Sequence, residues 1–239
     1  MDLKDSDNLK YPMPLYKTIT KDPGVRIRIW KITETEDKLA KGISLTPHCQ
    51  ERYEGMRSEL HRRGFLSIRH LMALEGYTDQ DLYYDELGKP HLRDGCFISI
   101  THSFQFTAIA VSDKIPVGID IEKQREKILK IAHKFTPISA YGSDIDPVLL
   151  MRKLTVVWGG KESLYKINST LGLSFLKHID IKDFGMEEGM TKGCIHLNGE
   201  SSSFEIRFLE FEGFTCAFAL QLNPADPESY LILNKNKAQ

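Results

Sequence analysis

The sequence predicts an α+β protein built from two similar α/β-meander halves, related by pseudo-twofold symmetry, with a ligand-binding cleft between them. Two observations indicate this fold class. Segments that alternate apolar and polar residues, as strands do, are separated by stretches with helical periodicity. In addition, FTAIAV at 106–111 is echoed by FTCAFAL at 214–220, and each follows a helix and further strands. We therefore expect an N-terminal half at 1–115, a C-terminal half at 116–233 and a flexible tail at 234–239.

The N-terminal half is predicted to combine three strands with one long helix. The predicted strands are residues 25–32, 97–103 and 106–112. Thr46 followed by Pro47 is typical of a helix N-terminus, because threonine caps a helix and proline fits its first turn. We expect a single helix from this point to Gly76, and a turn at the GKPHL segment, residues 88–92.

The C-terminal half is predicted to begin with a strand at 117–122, followed by an amphipathic helix and a turn-rich loop at 136–147. The apolar stripe of that helix has i, i+3, i+4, i+7 spacing and consists of Ile128, Ile131, Ala132 and Phe135. A longer helix is expected over 148–168, and a β-meander from Phe175 to residue 233.

The composition is that of a soluble globular protein, with 41% hydrophobic and 27% charged residues. A formal net charge of −1 argues against nucleic-acid binding through overall charge. The four cysteines are scattered without zinc-site spacing, which favours reduced thiols. The first ten residues, MDLKDSDNLK, are polar and unlike a signal peptide, and no apolar run approaches the roughly 18–20 residues that a membrane helix needs. We expect a cytoplasmic monomer without nucleic-acid or membrane partners.

The segment VGIDIEKQREK, residues 117–127, places two carboxylates in an otherwise apolar strand. Alternation puts Asp120 and Glu122 on the same face as Gly118, which is the pattern of a half-buried strand. Their backbones would lie roughly 7 Å apart. At an effective dielectric constant near 20, two such charges repel by roughly 2 kcal/mol. Either solvent or a bound cation could compensate this repulsion.

The predicted helix VVWGGKESLYKI, residues 156–167, carries a second polar stripe. Trp158, Glu162 and Lys166 are spaced i, i+4, i+8, so Glu162 and Lys166 could form a surface ion pair. Gly159 and Gly160 lie within the same helix, where each glycine costs roughly 1 kcal/mol relative to alanine. Either the helix is interrupted there, or its backbone lies close against another element.

Together these segments resemble the 4′-phosphopantetheinyl transferase superfamily, and within it the two-domain, surfactin-synthetase-activating class. The resemblance rests on GIDIE followed by WGGKESLYK. Supporting matches, in the same order along the chain, are RRGFLSIR at 62–69, LGKPHL at 87–92, ISITHS at 98–103 and GLSF at 172–175. Two departures are the segment 136–150, which has no clear counterpart in the family, and the glycine-rich WGG. They concern carrier docking and helix rigidity more than metal binding.

The resemblance implies transfer of the 4′-phosphopantetheine arm from coenzyme A to a serine of an acyl or peptidyl carrier protein, releasing 3′,5′-bisphosphoadenosine. It implies that Asp120, Glu122 and Glu162 hold Mg²⁺ in the cleft between the halves, in keeping with that ion's preference for oxygen ligands. Gly118 would leave room for the phosphate or the carrier. The serine would lose its proton to Glu162 or to a water on the metal, and Lys166 would neutralise or protonate the leaving phosphate.

The resemblance also implies a site for the 3′-phosphate of coenzyme A. His102 and Lys89 match the family's histidine and lysine, and Thr101 stands where the best-known members carry serine. Arg63 and Arg69 are looser matches for further contacts.

Two alternatives to an active transferase concern the partners. The chain could be a non-catalytic relative that binds coenzyme A or a carrier, or a nucleic-acid-binding module that uses the basic segment 57–70. For a carrier protein, which is typically acidic, the expected docking surface is the basic stretch that follows the predicted strand at 117–122. Its cations are Lys123, Arg125, Lys127, Lys130 and Lys134. The sequence does not identify the carrier or its pathway.

Overall fold

The computed structural model of the chain describes residues 15–21 and 24–222. The predicted tail at 234–239 and the predicted end of the meander at residue 233 lie outside these ranges. Within them the chain forms two antiparallel sheets, a small two-stranded hairpin and helices packed against the sheets. This arrangement agrees with the predicted α+β class.

The first sheet contains four strands from the N-terminal part of the chain. They are β1 (Leu15–Lys21), β2 (Val25–Lys31), β5 (Phe97–Ser103) and β6 (Phe106–Ser112), arranged in the order β1-β2-β6-β5. The two-stranded hairpin consists of β3 (Leu82–Tyr84) and β4 (Pro90–Leu92). The three predicted strands of this half are thereby confirmed, whereas β1, β3 and β4 were not predicted.

The predicted single helix from Thr46 to Gly76 is wrong. After the short α1 (Glu36–Ala40), the chain forms α2 (Pro47–Glu54) and a separate α3 (Glu59–Ala73). The predicted start is confirmed, since the Thr46 hydroxyl accepts a hydrogen bond from the Cys49 N–H. The break follows Gly55, and Arg62 donates to the carbonyl oxygens of Met56 and Arg57 there. These bonds satisfy carbonyls that a continuous helix would have paired.

The second sheet is a five-stranded meander completed by the first strand of the C-terminal half. Its strands are β7 (Val117–Lys123), β8 (Ile179–Ile181), β9 (Met190–Leu197), β10 (Glu200–Phe211) and β11 (Phe214–Gln221). They run in the order β7-β11-β10-β9-β8. The helices of this half are α4 (Lys127–Ile131), α5 (Pro147–Asn168) and α6 (Phe175–His178). The predicted long helix and meander are confirmed, and a short 3₁₀ helix, Ile138–Tyr141, lies within the predicted loop.

The prediction that β7 is half-buried is wrong. Residues 117–121 are all buried, so both faces of the strand are covered. Val117, Ile119 and Ile121 join an apolar core that includes residues of both sheets, and α5 covers the opposite face. Asp120 is therefore only 7% exposed, and the carboxylate is not part of a solvated edge.

Two further observations concern membrane-spanning helices and the cysteines. No helix within residues 15–21 and 24–222 is long and apolar enough to cross a membrane. The four cysteines all lie in this described part of the chain and are free thiols, as predicted.

Candidate active site

The candidate site is centred on the carboxylate of Asp120 on β7. Its Oδ1 accepts hydrogen bonds from Lys166 Nζ at 2.9 Å and from the Thr101 hydroxyl at 3.1 Å. Its Oδ2 is buried and has no hydrogen-bond partner among the residues that the structure describes. A buried carboxylate oxygen without a partner is energetically costly, so this oxygen is a candidate ligand atom.

Two glycines allow α5 to approach β7 closely enough to build this site. A Cβ atom placed on Gly118 would lie 1.9 Å from the carbonyl oxygen of Ser163, so no side chain fits there. A Cβ atom on Gly159 would lie 3.2 Å from the Ala217 Cβ and 3.7 Å from Asp120 Oδ2. The helix is thus continuous through its glycines and lies close against the sheet. The space at Gly118 is filled by the helix backbone, which corrects the expectation that it accommodates a phosphate or a carrier.

Lys166 connects α5 to β7. Its ammonium donates to the Ile119 carbonyl oxygen at 2.7 Å as well as to Asp120. The predicted i, i+4 ion pair with Glu162 is therefore replaced by an ion pair between helix and strand. A partly buried ammonium in this position fixes the Asp120 side chain and offsets part of the negative charge of the site.

Glu122 and Glu162 bring two more carboxyl groups to the same region. Burial, followed by the charges of Asp120 and Glu122, raises the pKa of Glu162 to about 7, while Lys166 acts in the opposite direction. Burial and then the charge of Asp120 raise the pKa of Glu122, although Arg125 and a hydrogen bond from Trp158 lower it. The three carboxyl groups thus interact electrostatically, and the site carries more negative charge than its own cation compensates.

The donor set fits a hard divalent cation in its chemistry. Carboxylate oxygens are the ligands that Mg²⁺ takes, and Asp120 Oδ2 is unpartnered within the described residues. In this part of the chain, however, no three or more His, Cys, Asp or Glu side chains are grouped so that they could hold a metal ion by themselves. The residues therefore suit a site in which other oxygen ligands, such as substrate phosphates and waters, complete the coordination.

Another positioning contact comes from Lys161, which precedes Glu162 and is 3% exposed. Its ammonium donates to the carbonyl oxygens of Phe175, at 2.7 Å, and Ile179. Burial lowers the pKa of this lysine to about 8. Sequence reasoning missed this contact, because nothing in the KES motif distinguishes a lysine that is buried from one that is solvated.

His102 lies at the end of β5 on the helical side of the first sheet. Its ring is 5.7 Å from that of His61 on α3, in an edge-to-face arrangement. The pKa of His102 is lowered, first by burial and then by the charges of His61 and Lys166. Both rings line a cavity of about 290 Å³ that Arg52 and Tyr84 also line. His61 was not predicted, and no spacing in the sequence relates it to His102.

Lys89 lies on the connection between β3 and β4 and reaches the other half of the molecule. Its ammonium donates to the carbonyl oxygen of Ile167, near the end of α5, at 2.5 Å. Burial lowers its pKa. It lines a cavity of about 330 Å³ whose wall includes Pro116 and Ser202. Residues of both sheets line this cavity, among them Ile98 of β5 and Val117 of β7, and we call this junction between the sheets the seam.

The remaining predicted coenzyme contacts differ in exposure. Thr101 is 5% exposed, and its hydroxyl binds Asp120 and the Ile121 N–H. Arg63 lies 3.9 Å from Glu59, and its Nε is buried without a hydrogen-bond partner in the described part of the chain.

Arg69 is largely buried, although it also lines the cavity that His61 and His102 line. It is 5% exposed, forms an ion pair with Asp79 at 2.8 Å and stacks 3.5 Å from the centre of the Phe65 ring. It also donates to the sulfur of Cys49. The expectation that Arg69 contacts coenzyme A is therefore corrected, because these contacts occupy its guanidinium.

The predicted docking stretch after β7 is solvent-exposed as expected. Lys127 and Lys130 on α4 are exposed, and Ala132 and Phe135 are buried against α5. At its start, the cations of Lys123 and Arg125 lie 4.8 and 5.3 Å from the ring centre of Phe104, a residue of the first half.

Comparison with known proteins gives one curated relative. No family model matches the chain. The chain is 25% identical over 181 residues to the 4′-phosphopantetheinyl transferase gsp of Aneurinibacillus migulanus, a match that covers 71% of this chain and 69% of the relative. This similarity supports the resemblance to the 4′-phosphopantetheinyl transferase superfamily, and with it phosphopantetheinyl transferase activity in general.

Proposed function

We propose that the protein transfers the 4′-phosphopantetheine arm of coenzyme A to a serine hydroxyl of an acyl or peptidyl carrier protein. The reaction would depend on Mg²⁺ and release 3′,5′-bisphosphoadenosine. The observation that carries the proposal is the state of Asp120, whose Oδ1 is held by Lys166 while its buried Oδ2 has no partner among the described residues. The similarity to a curated phosphopantetheinyl transferase supports the same reaction class.

Asp120, Glu122 and Glu162 would hold the magnesium ion. When bound, the ion supplies Lewis-acid stabilisation for the charge that develops on the phosphoryl oxygens of the coenzyme pyrophosphate. The raised pKa values of Glu122 and Glu162, caused first by burial and then by the charge of Asp120, support this role, because a bound cation favours the ionised form of both carboxyl groups.

The chain's own groups would manage the proton and the leaving group. The serine oxygen forms a bond to the phosphorus of the phosphopantetheine arm, and the bond from that phosphorus to the bridging pyrophosphate oxygen breaks. The serine proton passes to the carboxylate of Glu162, the candidate base among the residues of the site. The departing 3′,5′-bisphosphoadenosine keeps the electron pair of the broken bond, and the Lys166 ammonium neutralises or protonates its terminal phosphate.

The coenzyme would lie along the seam between the two sheets. Lys89, His102 and Arg63 are the proposed contacts of its 3′-phosphate, and two of them line cavities, Lys89 the one between the sheets and His102 the one beside α3. The unpartnered Nε of Arg63, buried within the described part of the chain, supports its inclusion. Thr101 matches the position of a coenzyme-binding serine in the motif, but its buried hydroxyl binds Asp120 and the Ile121 N–H.

The domain organisation belongs to the proposal as well. In each sheet, the strand that precedes a long helix (β2 or β7) pairs with a later strand (β6 or β11). On its other side that later strand pairs with a third strand, which gives the orders β2-β6-β5 and β7-β11-β10. The echoed segments FTAIAV and FTCAFAL lie on β6 and β11, the corresponding central strands. These features support two halves divided at 115/116, related by pseudo-twofold symmetry, with the active site in the cleft between them. We further propose a cytoplasmic monomer.

Intact-mass measurement of a carrier protein tests the proposal. The full chain is incubated with coenzyme A, Mg²⁺ and an apo acyl or apo peptidyl carrier protein. We expect the carrier to gain one phosphopantetheine group and 3′,5′-bisphosphoadenosine to accumulate in equal amount. If coenzyme A or the carrier binds and no transfer occurs on either carrier class, the alternative of a non-catalytic binding relative is correct.

A further inference from the structure

We propose that Thr101 is a positioning residue, which orients the Asp120 carboxylate for a cation rather than contacting coenzyme A. This inference rests on the proposed function for its biological meaning, but its physical content is a metal-binding property of the chain. Thr101 lies on β5 and is only 5% exposed. A side chain this buried offers little surface to a coenzyme phosphate.

The Thr101 hydroxyl has its donor and acceptor roles assigned by its neighbours. It accepts a hydrogen bond from the backbone N–H of Ile121 at 3.2 Å. Its single hydrogen is then directed to Asp120 Oδ1, which it approaches at 3.1 Å. Because the carboxylate can only accept, the direction of this second bond is fixed.

A second donor completes the orientation of the carboxylate. Lys166 Nζ reaches the same Oδ1 at 2.9 Å from the opposite element, α5. With both donors on Oδ1, the Asp120 side chain is held so that Oδ2 is the oxygen left without a partner among the described residues. Outer hydrogen bonds of this kind orient carboxylate ligands and increase their affinity for a metal.

Ser99 provides a matched control within the same strand. It lies two residues before Thr101 on the same face of β5, and its hydroxyl accepts from the Ile119 N–H at 3.1 Å. Both hydroxyls therefore pair an amide of β7, but the bond to Asp120 is made by Thr101. Removal of either hydroxyl leaves a buried amide unpaired, so a difference between the two variants isolates the effect on the carboxylate.

The test measures Mn²⁺ binding to the full chain by the loss of the free-ion paramagnetic resonance signal, without carrier or coenzyme. Mn²⁺ is the probe because it takes the same carboxylate ligands as Mg²⁺. We expect Thr101→Val to weaken binding about ten- to one-hundredfold, the usual effect of removing an outer partner of a ligand. Thr101→Ser should restore the native affinity, and Ser99→Ala should leave it unchanged. The Michaelis constant for coenzyme A, at saturating Mg²⁺, should stay close to native in Thr101→Val.

Three results would overturn the inference. The first is that Thr101→Val binds Mn²⁺ as tightly as the native chain. The second is that Thr101→Val and Ser99→Ala weaken Mn²⁺ binding equally. The third is that Thr101→Val raises the Michaelis constant for coenzyme A while its metal affinity is unchanged. If Thr101→Val does not fold, Thr101→Ala is compared with Ser99→Ala on the same criteria. Failure of the proposed function alone gives a different result from failure of this inference. In that case the native chain binds Mn²⁺ in a Thr101-dependent manner but modifies no carrier.

Discussion

The backbone of Gly118 on β7 lies directly against the carbonyl group of Ser163 on α5, where an added Cβ atom would be 1.9 Å from the carbonyl oxygen. Because that neighbour is helix backbone, it cannot move aside without shifting α5. We expect Gly118→Ala to lower the free energy of unfolding by about 3 kcal/mol or more, at or beyond the upper end of typical overpacking effects. Urea unfolding followed by circular dichroism measures the change.

Gly55→Ala is the control for that substitution. A Cβ atom at Gly55 would meet the Glu51 carbonyl oxygen at 3.4 Å, which is ordinary contact distance. Its stability should remain close to that of the native chain. Equal stability of the Gly118→Ala chain and the native chain would contradict the close packing of helix and strand.

Asp120→Asn should abolish transfer while leaving the fold intact. Asparagine keeps an Oδ1 for Thr101 and Lys166, but it replaces the unpartnered oxygen by an amide nitrogen that does not bind Mg²⁺. We expect the transfer rate to fall to less than about one hundredth of the native rate. The exposed Asp144→Asn serves as control and should stay fully active. Full activity of the native chain in excess chelator would disprove the metal assignment.

His102→Ala should weaken recognition of the coenzyme 3′-phosphate. A hydrogen bond to a charged group contributes about 1.5–3 kcal/mol, so the Michaelis constant for coenzyme A should rise about tenfold or more. Dephospho-coenzyme A should be a poorer substrate than coenzyme A for the native chain, and the variant should lose this discrimination. His196→Ala, on the exposed face of β9, should behave as native. If the His102→Ala and native chains discriminate equally, His102 does not read the 3′-phosphate.

Charge reversal on α4 should affect the carrier and not the coenzyme. The double variant Lys127→Glu, Lys130→Glu should raise the Michaelis constant for the carrier about tenfold at low ionic strength, and less at high salt, because exposed charges are screened. The constant for coenzyme A should not change. The variant Lys38→Glu, Lys41→Glu makes the same change of charge elsewhere on the surface and should have native kinetics. Unaltered carrier kinetics at low salt would move the docking surface elsewhere, to the segment 136–147.

The buried Asp79–Arg69 pair should make stability depend on acid pH. Burial opposes ionisation of Asp79, but the N–H and hydroxyl of Thr46 and the guanidinium of Arg69 outweigh it and lower its pKa. A lowered folded-state pKa stabilises the protein above the unfolded-state value of about 3.9, and this contribution is lost as the pH falls through the folded-state value. Asp79→Asn should therefore cost about 3–5 kcal/mol at pH 7. Its deficit relative to the native chain should shrink in urea unfolding below about pH 4, and a deficit that does not change with pH would contradict this account.

The fold was predictable where one residue pattern favours one environment. Alternating apolar residues located β2, β5 and β6, and Thr46-Pro47 located the start of α2. The same alternation predicted the wrong environment for β7. An acidic residue such as Asp120 is expected to be solvated, whereas in the structure a lysine from a distant helix neutralises it. The break after Gly55 was missed for a similar reason, since the bonds that Arg62 makes there are tertiary.

The candidate site was predictable in its residue types and less so in their roles. The motifs named Asp120, Glu122, Glu162 and Lys166, and the structure brings their groups into mutual electrostatic contact. The partner of Lys166 was not predictable, because helix periodicity describes neighbours within a helix and not contacts with another element. In the same way, a motif match cannot tell a buried arginine or threonine from an exposed one.

The strand that carries Asp120 begins the second sheet, yet its hydrogen-bonded neighbour in that sheet is β11, the last strand of the described chain. On its other side its amides are paired by the hydroxyls of Ser99 and Thr101. During synthesis, therefore, contacts with β5 become available to β7 long before its partner in the sheet does. The long loop between β7 and β11 must close before the hydrogen-bonded ladder that joins these two strands can form. The acidic centre thus lies on a strand whose ladder is completed only when residues 214–221 are in place.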